Sequence, residues 1–351
     1  AMDDEVSGWT FNSPYADRHA QPYDETYIKT ILAPFASQSD IYKAINSPKH
    51  ITDAIGDLAV DCIKDRAKTK NPFLLYVPFH AVEGKIVGRK DLTFKYQKKG
   101  LPPAVAEYAS LIELLDENIG KINNALKDPN SDGDFSDDVS SNTLVILLSD
   151  NGGAFSNGPL SGKKDDLTEG GIRVPLICKF PATIAPNTVS NQAVHSVDLF
   201  PTLAEMAGLE SKNIKKANGK KLRLDGVSFA KILKGESTSL ERENLFWHFP
   251  DYTEQRVRPT SIIQKRFGED YYKLFYFYEK DEFQLFHLNK DIGEKLNLLK
   301  KPTPQQLEIA QKMNEDLHNW LTQNNAPTGT WTKDGTKVPY PKPDGVLKYK
   351  K

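Results

Sequence analysis

Asn142 to Pro175 reads NTLVILLSDNGGAFSNGPLSGKKDDLTEGGIRVP, an apolar run that delivers an acid, an amide, several glycines and a lysine pair. From Thr143 to Leu148 no polar interruption breaks the run. This predicts a strand covered on both faces, as in a parallel sheet flanked by helices. Asp150 and Asn151 fall just past its C-terminal end, where open α/β sheets bind their ligands. Both side chains offer hard oxygen donors suited to Ca2+ or Mg2+.

The rest of the chain bounds the classes of function. Its 351 residues can bury a large core and divide into domains, and a formal net charge of -1 predicts no nucleic-acid partner. No apolar run is long enough to span a bilayer, so no membrane partner is expected. Ala1 in front of Met2 reads as a cloning remnant, so localisation is not legible from this terminus. Cys62 and Cys178 form neither a disulfide framework nor a metal-site spacing, and their apolar contexts predict buried, inert thiols.

Outward from the central stretch, strand and helix patterns alternate. Ile51, Ile55, Leu58, Ala59 and Cys62 carry the one-sided spacing of an amphipathic helix, with Cys62 on its buried face. Phe73 to Val77 predict a second short buried strand, with His80 and Glu83 beyond its end. A long helix is expected over 104 to 126, its stripe of Val105, Tyr108, Ile112, Leu115, Ile119, Ile122 and Leu126 packing on the sheet. Leu176 to Phe180 read as a strand, and Val197 to Ala207 as a helix entered through Asp198 and stopped by Gly208. Four aromatic-rich runs between 245 and 288 predict a small antiparallel sheet, followed by an amphipathic helix over Pro304 to Leu321. The expected division is 1–235, 236–323 and an irregular tail over 324–351.

One loop has a motif of its own. In DPNSDGDFSDDV, Asp128, Asn130, Asp132, Gly133 and Asp134 occupy positions one, three, five, six and seven of an EF-hand-type calcium loop. Val139 stands where the closing Glu belongs, so a plain solvated turn is the expectation carried forward.

SDNGG followed by NGPLSGKKDDLTEGGIRVP resembles the sulfatase family of the alkaline phosphatase superfamily. NPFLLYVPFHAV, HSVDLFPTLAEMAGL, DGVSFAKILKG, LFWHFPDY, YYKLFYFYE and QLFHLNKDIGEKLNL agree with further family segments in order. The resemblance covers nearly the whole chain, from about residue 20 to the tail. It implies an α/β fold, an alkaline-phosphatase-like mixed sheet flanked by helices and incomplete at its N-terminal side, with a smaller C-terminal α+β subdomain. It implies sulfuric ester hydrolysis on a sulfated carbohydrate, a Ca2+ cofactor, and a periplasmic or secreted location.

Residue by residue, the resemblance assigns Asp150 and Asn151 to calcium and Lys164 to the sulfate, with Lys163 the neighbour if the loop shifts by one. Where the family loop has its histidine this sequence has Glu83. His80, three residues earlier, either donates to sulfate or the leaving group, or is structural. His248 resembles a position near the pocket mouth, as substrate contact or as a structural histidine. The family nucleophile is a formylglycine made from a Cys/Ser-x-Pro-x-Arg motif, and no such motif occurs here. Cys62 with Arg66 has only its outer spacing. In family terms the chain therefore begins after the first part of the catalytic domain. It is expected to be inactive alone and, with its sheet edge exposed, to form an oligomer or undergo a compensating rearrangement. The alternatives are a non-catalytic sulfated-glycan-binding pseudoenzyme, or a phosphatase or phosphodiesterase of the same superfamily. The latter's Asp-x-x-x-His spacing is missing near Asp150.

Overall fold

Helix α1 (Ile51–Thr69) opens with the imidazole of His50, whose Nδ1 accepts from the Thr52 amide at 3.1 Å, and closes with Arg66 and Lys68 in its last turn. Helix α2 (Lys90–Lys98) and helix α3 (Pro103–Lys127) follow, the latter started by a proline in its first turn. The computed structural model describes residues 21–32, 45–69, 71–82, 86–210, 213–250 and 259–350. These divide into two compact units: one up to Leu144 with Phe180–Ala182, the other Val145–Lys179 with everything from Thr183 onward.

In the first unit the helices turn unexpected faces inward. The apolar stripe of α3 leaves Val105 37% and Ile112 49% exposed, while Glu117, Asn118 and Lys121 are buried beside Leu111 and Leu114. On α1 Ile51 and Ala59 of the predicted stripe are buried, but Asp53 and Asp57 are buried with them, and Cys62 is half-buried rather than covered. The helices meet closely at Gly56, where a Cβ would lie 2.0 Å from the Asn118 amide oxygen. Charge neutralisation makes this face tolerable. Asp53 bonds Lys121 Nζ at 2.8 Å and Arg89 Nη1 at 3.1 Å, and Arg89 also pairs with Asp91 and Glu117. Burial alone would raise the Asp53 carboxyl, but Lys121 and Arg89 outweigh it and hold it far below the usual range. At Glu117 burial prevails over Arg89 and pushes the carboxyl up to about 7.

Phe73 to Val77 are extended but form no strand, and Leu74 and Tyr76 on the outward side are 81% and 83% exposed. Extended chain becomes sheet only with a ladder partner, and none pairs with it among the described residues. The loop after α3 closes on itself: Asp128 accepts from the Gly133 amide at 3.1 Å, Asn130 from Asp132 at 2.9 Å, and Asp132 from Asp134 at 2.7 Å.

The second unit holds two sheets. Strand β1 (Val145–Leu148) pairs with β2 (Leu176–Lys179), Val145 opposite Lys179 and Leu148 opposite Leu176. The pairing is antiparallel and β1 is half-buried, which corrects the expectation of a parallel strand covered on both faces. The intervening loop returns the chain directly to its neighbour, as parallel crossovers cannot. Cys178 on β2 is half-buried, and burial pushes its thiol up to about 11, which keeps it protonated and unreactive near neutrality. Between the short helix α4 (Glu169–Ile172) and the C-terminal sheet lies α5 (Leu199–Met206). It follows a 3-10 turn at Ser196–Asp198 and ends before Gly208 at φ +79°. A short α6 (Ala230–Leu233) precedes the sheet.

Strands β3 (Asn244–Phe249), β4 (Thr260–Phe267), β5 (Asp270–Phe277) and β6 (Glu282–His287) form an antiparallel meander in that order. Two-residue alternation gives the sheet two apolar faces. Ile263, Leu274, Phe283 and Leu285 pack with Met313 and Leu317 of α7 (Pro304–Gln323), and Ile262, Phe275 and Phe286 meet Leu167 and Ile172 of the central stretch. The segment 324–350 is largely irregular, yet it buries Ala326 and Val346 against the first core. Its Tyr349 hydroxyl accepts from the Phe283 amide at 3.0 Å on the outer edge of β6. The fold is thus α/β, with antiparallel sheets flanked by helices. No described helix is long and apolar enough to cross a membrane.

Candidate functional site

Past the end of β1, the backbone is stitched into a compact loop. The Ser149 amide donates to Pro175 O at 3.4 Å and the Gly152 amide to Gly171 O at 2.8 Å, while the Lys164 amide donates to Gly153 O at 3.0 Å. Asn157 spans the loop, its Nδ2 donating to Gly153 O and Gly170 O at 3.0 Å each. Such close approach requires glycines. A Cβ on Gly152 would sit 1.8 Å from Gly170 O, and one on Gly171 would sit 2.0 Å from Asp166 O.

This scaffold sets Asp150, Asn151 and Lys164 on one loop. Asp150 is exposed, while Asn151 and Lys164 are half-buried and Lys163 is exposed. Asn151 Nδ2 turns toward Gly152 O at 3.4 Å. The carboxylate and amide are hard donors of the kind calcium takes, and in number they supply two of the roughly six to eight oxygens it needs. Among the described residues no group of three or more His, Cys, Asp or Glu is arranged to hold a metal ion. The residues present fit calcium in kind, as part of a shell.

His248 lies in the same unit on β3, with both ring nitrogens engaged: Nδ1 with Ser261 Oγ at 2.7 Å and Nε2 with Pro327 O at 2.5 Å. A contact with ligand would require exchange of the Pro327 carbonyl. His80 is half-buried at the end of the extended segment in the first unit, and Glu83 lies outside the described residues.

Beneath the loop is a cluster that sequence reasoning missed. Glu169, at the start of α4, accepts from Gln264 Nε2 at 2.6 Å and from Lys273 Nζ at 3.0 Å. The Lys273 ammonium, fully buried, also pairs with Glu294 Oε1 at 2.8 Å, and the Glu169 amide donates to Glu294 Oε2 at 2.7 Å. Burial raises the Glu294 carboxyl against the pull of Lys273. The available signal was a lone lysine inside the aromatic run YYKLFYFY. A second pair, buried Asp198 with half-buried Arg242 at 2.9 Å, anchors the 3-10 turn, and Asp198 also accepts from the Val227 amide at 2.9 Å.

The antiparallel sheets flanked by helices and the glycine-stitched loop beyond β1 define an alkaline-phosphatase-like α/β protein. The sulfatase family description matches residues 3–209, and that of the C-terminal region of N-sulphoglucosamine sulphohydrolase matches residues 163–323. The chain belongs to the sulfatase family. A sulfatase of Formosa agariphila is 46% identical, covering 99% of this chain and 64% of that protein. An N-acetylgalactosamine-6-sulfatase of Sus scrofa is 30% identical over 46% of this chain and 30% of its own length. The crystal structure of Ps i-CgsB in complex with k-i-k-neocarrahexaose aligns at TM-score 0.62 and 25% identity, over 79% of this chain and 56% of that one. The chain thus spans less than two thirds of each of these relatives.

Proposed function

We propose that the chain supplies one wall of a sulfate ester hydrolase site acting on sulfated carbohydrate. The observation that carries this reading is the joining of Asp150, Asn151 and Lys164 in one loop pinned by the Gly152–Gly171 and Lys164–Gly153 bonds. Asp150 and Asn151 would hold calcium, which when bound would draw charge from the sulfate oxygens. The Lys164 ammonium offsets negative charge on the sulfate and the departing oxygen. His248, in the same unit, contacts the sugar once the Pro327 carbonyl is exchanged. In the overall reaction the S–O ester bond breaks, water supplies the new oxygen on sulfur, and the freed alcohol keeps a proton. Names of the relatives support carbohydrate as the alcohol: one acts on N-acetylgalactosamine 6-sulfate by its name, and one is bound to an oligosaccharide.

Without a Cys/Ser-x-Pro-x-Arg motif the chain alone is expected not to turn over. The test is calorimetric calcium titration of the chain and of Asp150→Ala, with sulfate release measured on 4-nitrocatechol sulfate and a sulfated glycan. Uptake lost in the variant supports the assignment, and uptake unchanged refutes it. Sulfate release by the chain alone refutes the division of labour. The second reading is a sulfated-glycan-binding protein without hydrolysis. Array binding that is insensitive to adding a motif-bearing front segment would select it.

A further inference from the structure

A lysine side chain in the middle of a strand, fully shielded from water, is tolerated only when its charge is matched. Lys273 is matched by two carboxylates from outside the sheet: Glu169 at 3.0 Å and Glu294 at 2.8 Å. Opposite it on β4 stands Gln264, which grips the same Glu169 oxygen. Glu169 begins the Glu-Gly-Gly turn, whose Gly171 carbonyl receives the Gly152 amide. Glu294 belongs to a second loop, where the preceding Gly293 carbonyl accepts from the Ser161 hydroxyl, at the other end of the lysine-bearing loop. Both ends of the 161–171 loop are therefore tied to one buried ammonium, directly at Glu169 and through Gly293 and Glu294 at Ser161.

The geometry points to Lys273 as a positioning residue that fixes the loop carrying Lys164 and, through Gly171, the turn of Asp150 and Asn151. Its relevance to function rests on the proposed reading of that loop as a sulfate-site wall. Leu274 and Phe275 beside it supply apolar contacts to the two faces, whereas the Lys273 ammonium, besides lying 4.9 Å from the Phe275 ring centroid, forms its ion pairs with groups of the two loops.

Removing the ammonium alone would strand two buried carboxylates, so the test variant combines Lys273→Met with Glu294→Gln, which neutralises one of them and leaves Glu169 with Gln264 and the Arg173 guanidinium at 3.8 Å. Lys265→Met serves as the control, because Lys265 on β4 is also buried but pairs with the more exposed Glu243 and Asp316 instead. Hydrogen exchange is read at the Gly152, Gly170 and Gly171 amides. The double variant is expected to exchange there about tenfold faster while the control matches the parent. Calcium affinity should fall about tenfold in the double variant, the usual cost of losing an outer support of a metal ligand. Loop exchange unchanged in the double variant, or accelerated equally by Lys265→Met, overturns the inference. A parent chain that takes up no calcium refutes the proposed site, and the exchange comparison still decides the role of Lys273.

Discussion

The Gly152 amide donates to the Gly171 carbonyl at 2.8 Å, which makes the turn after β1 and the Glu-Gly-Gly turn one backbone unit. Residues distant in sequence thereby share a position, and the metal-ligand candidates Asp150 and Asn151 inherit the rigidity of α4.

This contact leaves no room for a methyl group. Gly152→Ala places a Cβ 1.8 Å from Gly170 O, a backbone atom that cannot swing aside. The expected loss is about 1–3 kcal/mol, as for other overpacked sites, measured by urea unfolding, with calcium uptake lost in the same variant. Parent-like stability would show that the two turns can separate freely.

Glu117 makes stability depend on pH. Its carboxyl is raised from 4.5 to about 7, so between those values the folded chain holds a proton that the unfolded chain has released. Its contribution is unaffected below pH 4.5 and falls as pH rises through 7, by about 3 kcal/mol in all. Glu117→Gln should flatten the unfolding free energy over that window and stabilise the chain at pH 8. Denaturant titrations at pH 5 and pH 8 check it, and an identical pH slope in the two proteins would contradict the burial argument.

Arg242→Met removes the cation facing fully buried Asp198 and leaves a charge in the interior. Such a loss costs about 3–5 kcal/mol. Arg242→Met with Asp198→Asn should recover part of it, because the buried charge is gone and the asparagine oxygen can still accept from one of the Val227 and His195 amides. A thermal melt of both variants makes the comparison.

The C-terminal segment closes a sheet edge. Deleting residues 324–351 removes Val346 from the core and uncovers the Phe283 amide on β6, which Tyr349 now satisfies. Lower stability and concentration-dependent association are expected, since unpaired strand edges recruit other chains. Unchanged melting on truncation would mean that the segment packs without contributing.

Self-association of the intact chain is expected as well. Leu74, Tyr76 and Ile177 are 81%, 83% and 59% exposed, and large apolar side chains in such number invite burial against a partner. Light scattering should report a species larger than one chain, and a strict monomer at high concentration would rule this out.

The sequence by itself determined what local periodicity and turn chemistry control. The meander over 244–287, the helix over 304–323, the stop at Gly208 and the family-bearing loop from Asp150 to Gly171 were all legible, because each depends on neighbours along the chain. Only the tertiary structure decided which faces are buried. The apolar stripe of α3 predicted packing on a sheet, yet Lys121 and Glu117 turned inward, because Asp53 and Arg89 from distant segments neutralise them. Phe73 to Val77 had the composition of a strand but no described ladder partner, and β1 took an antiparallel neighbour that composition could not specify. The support beneath the site was invisible for the same reason. Lys273, Glu169 and Glu294 lie far apart in the chain, and a buried charge is understood only from the groups that surround it.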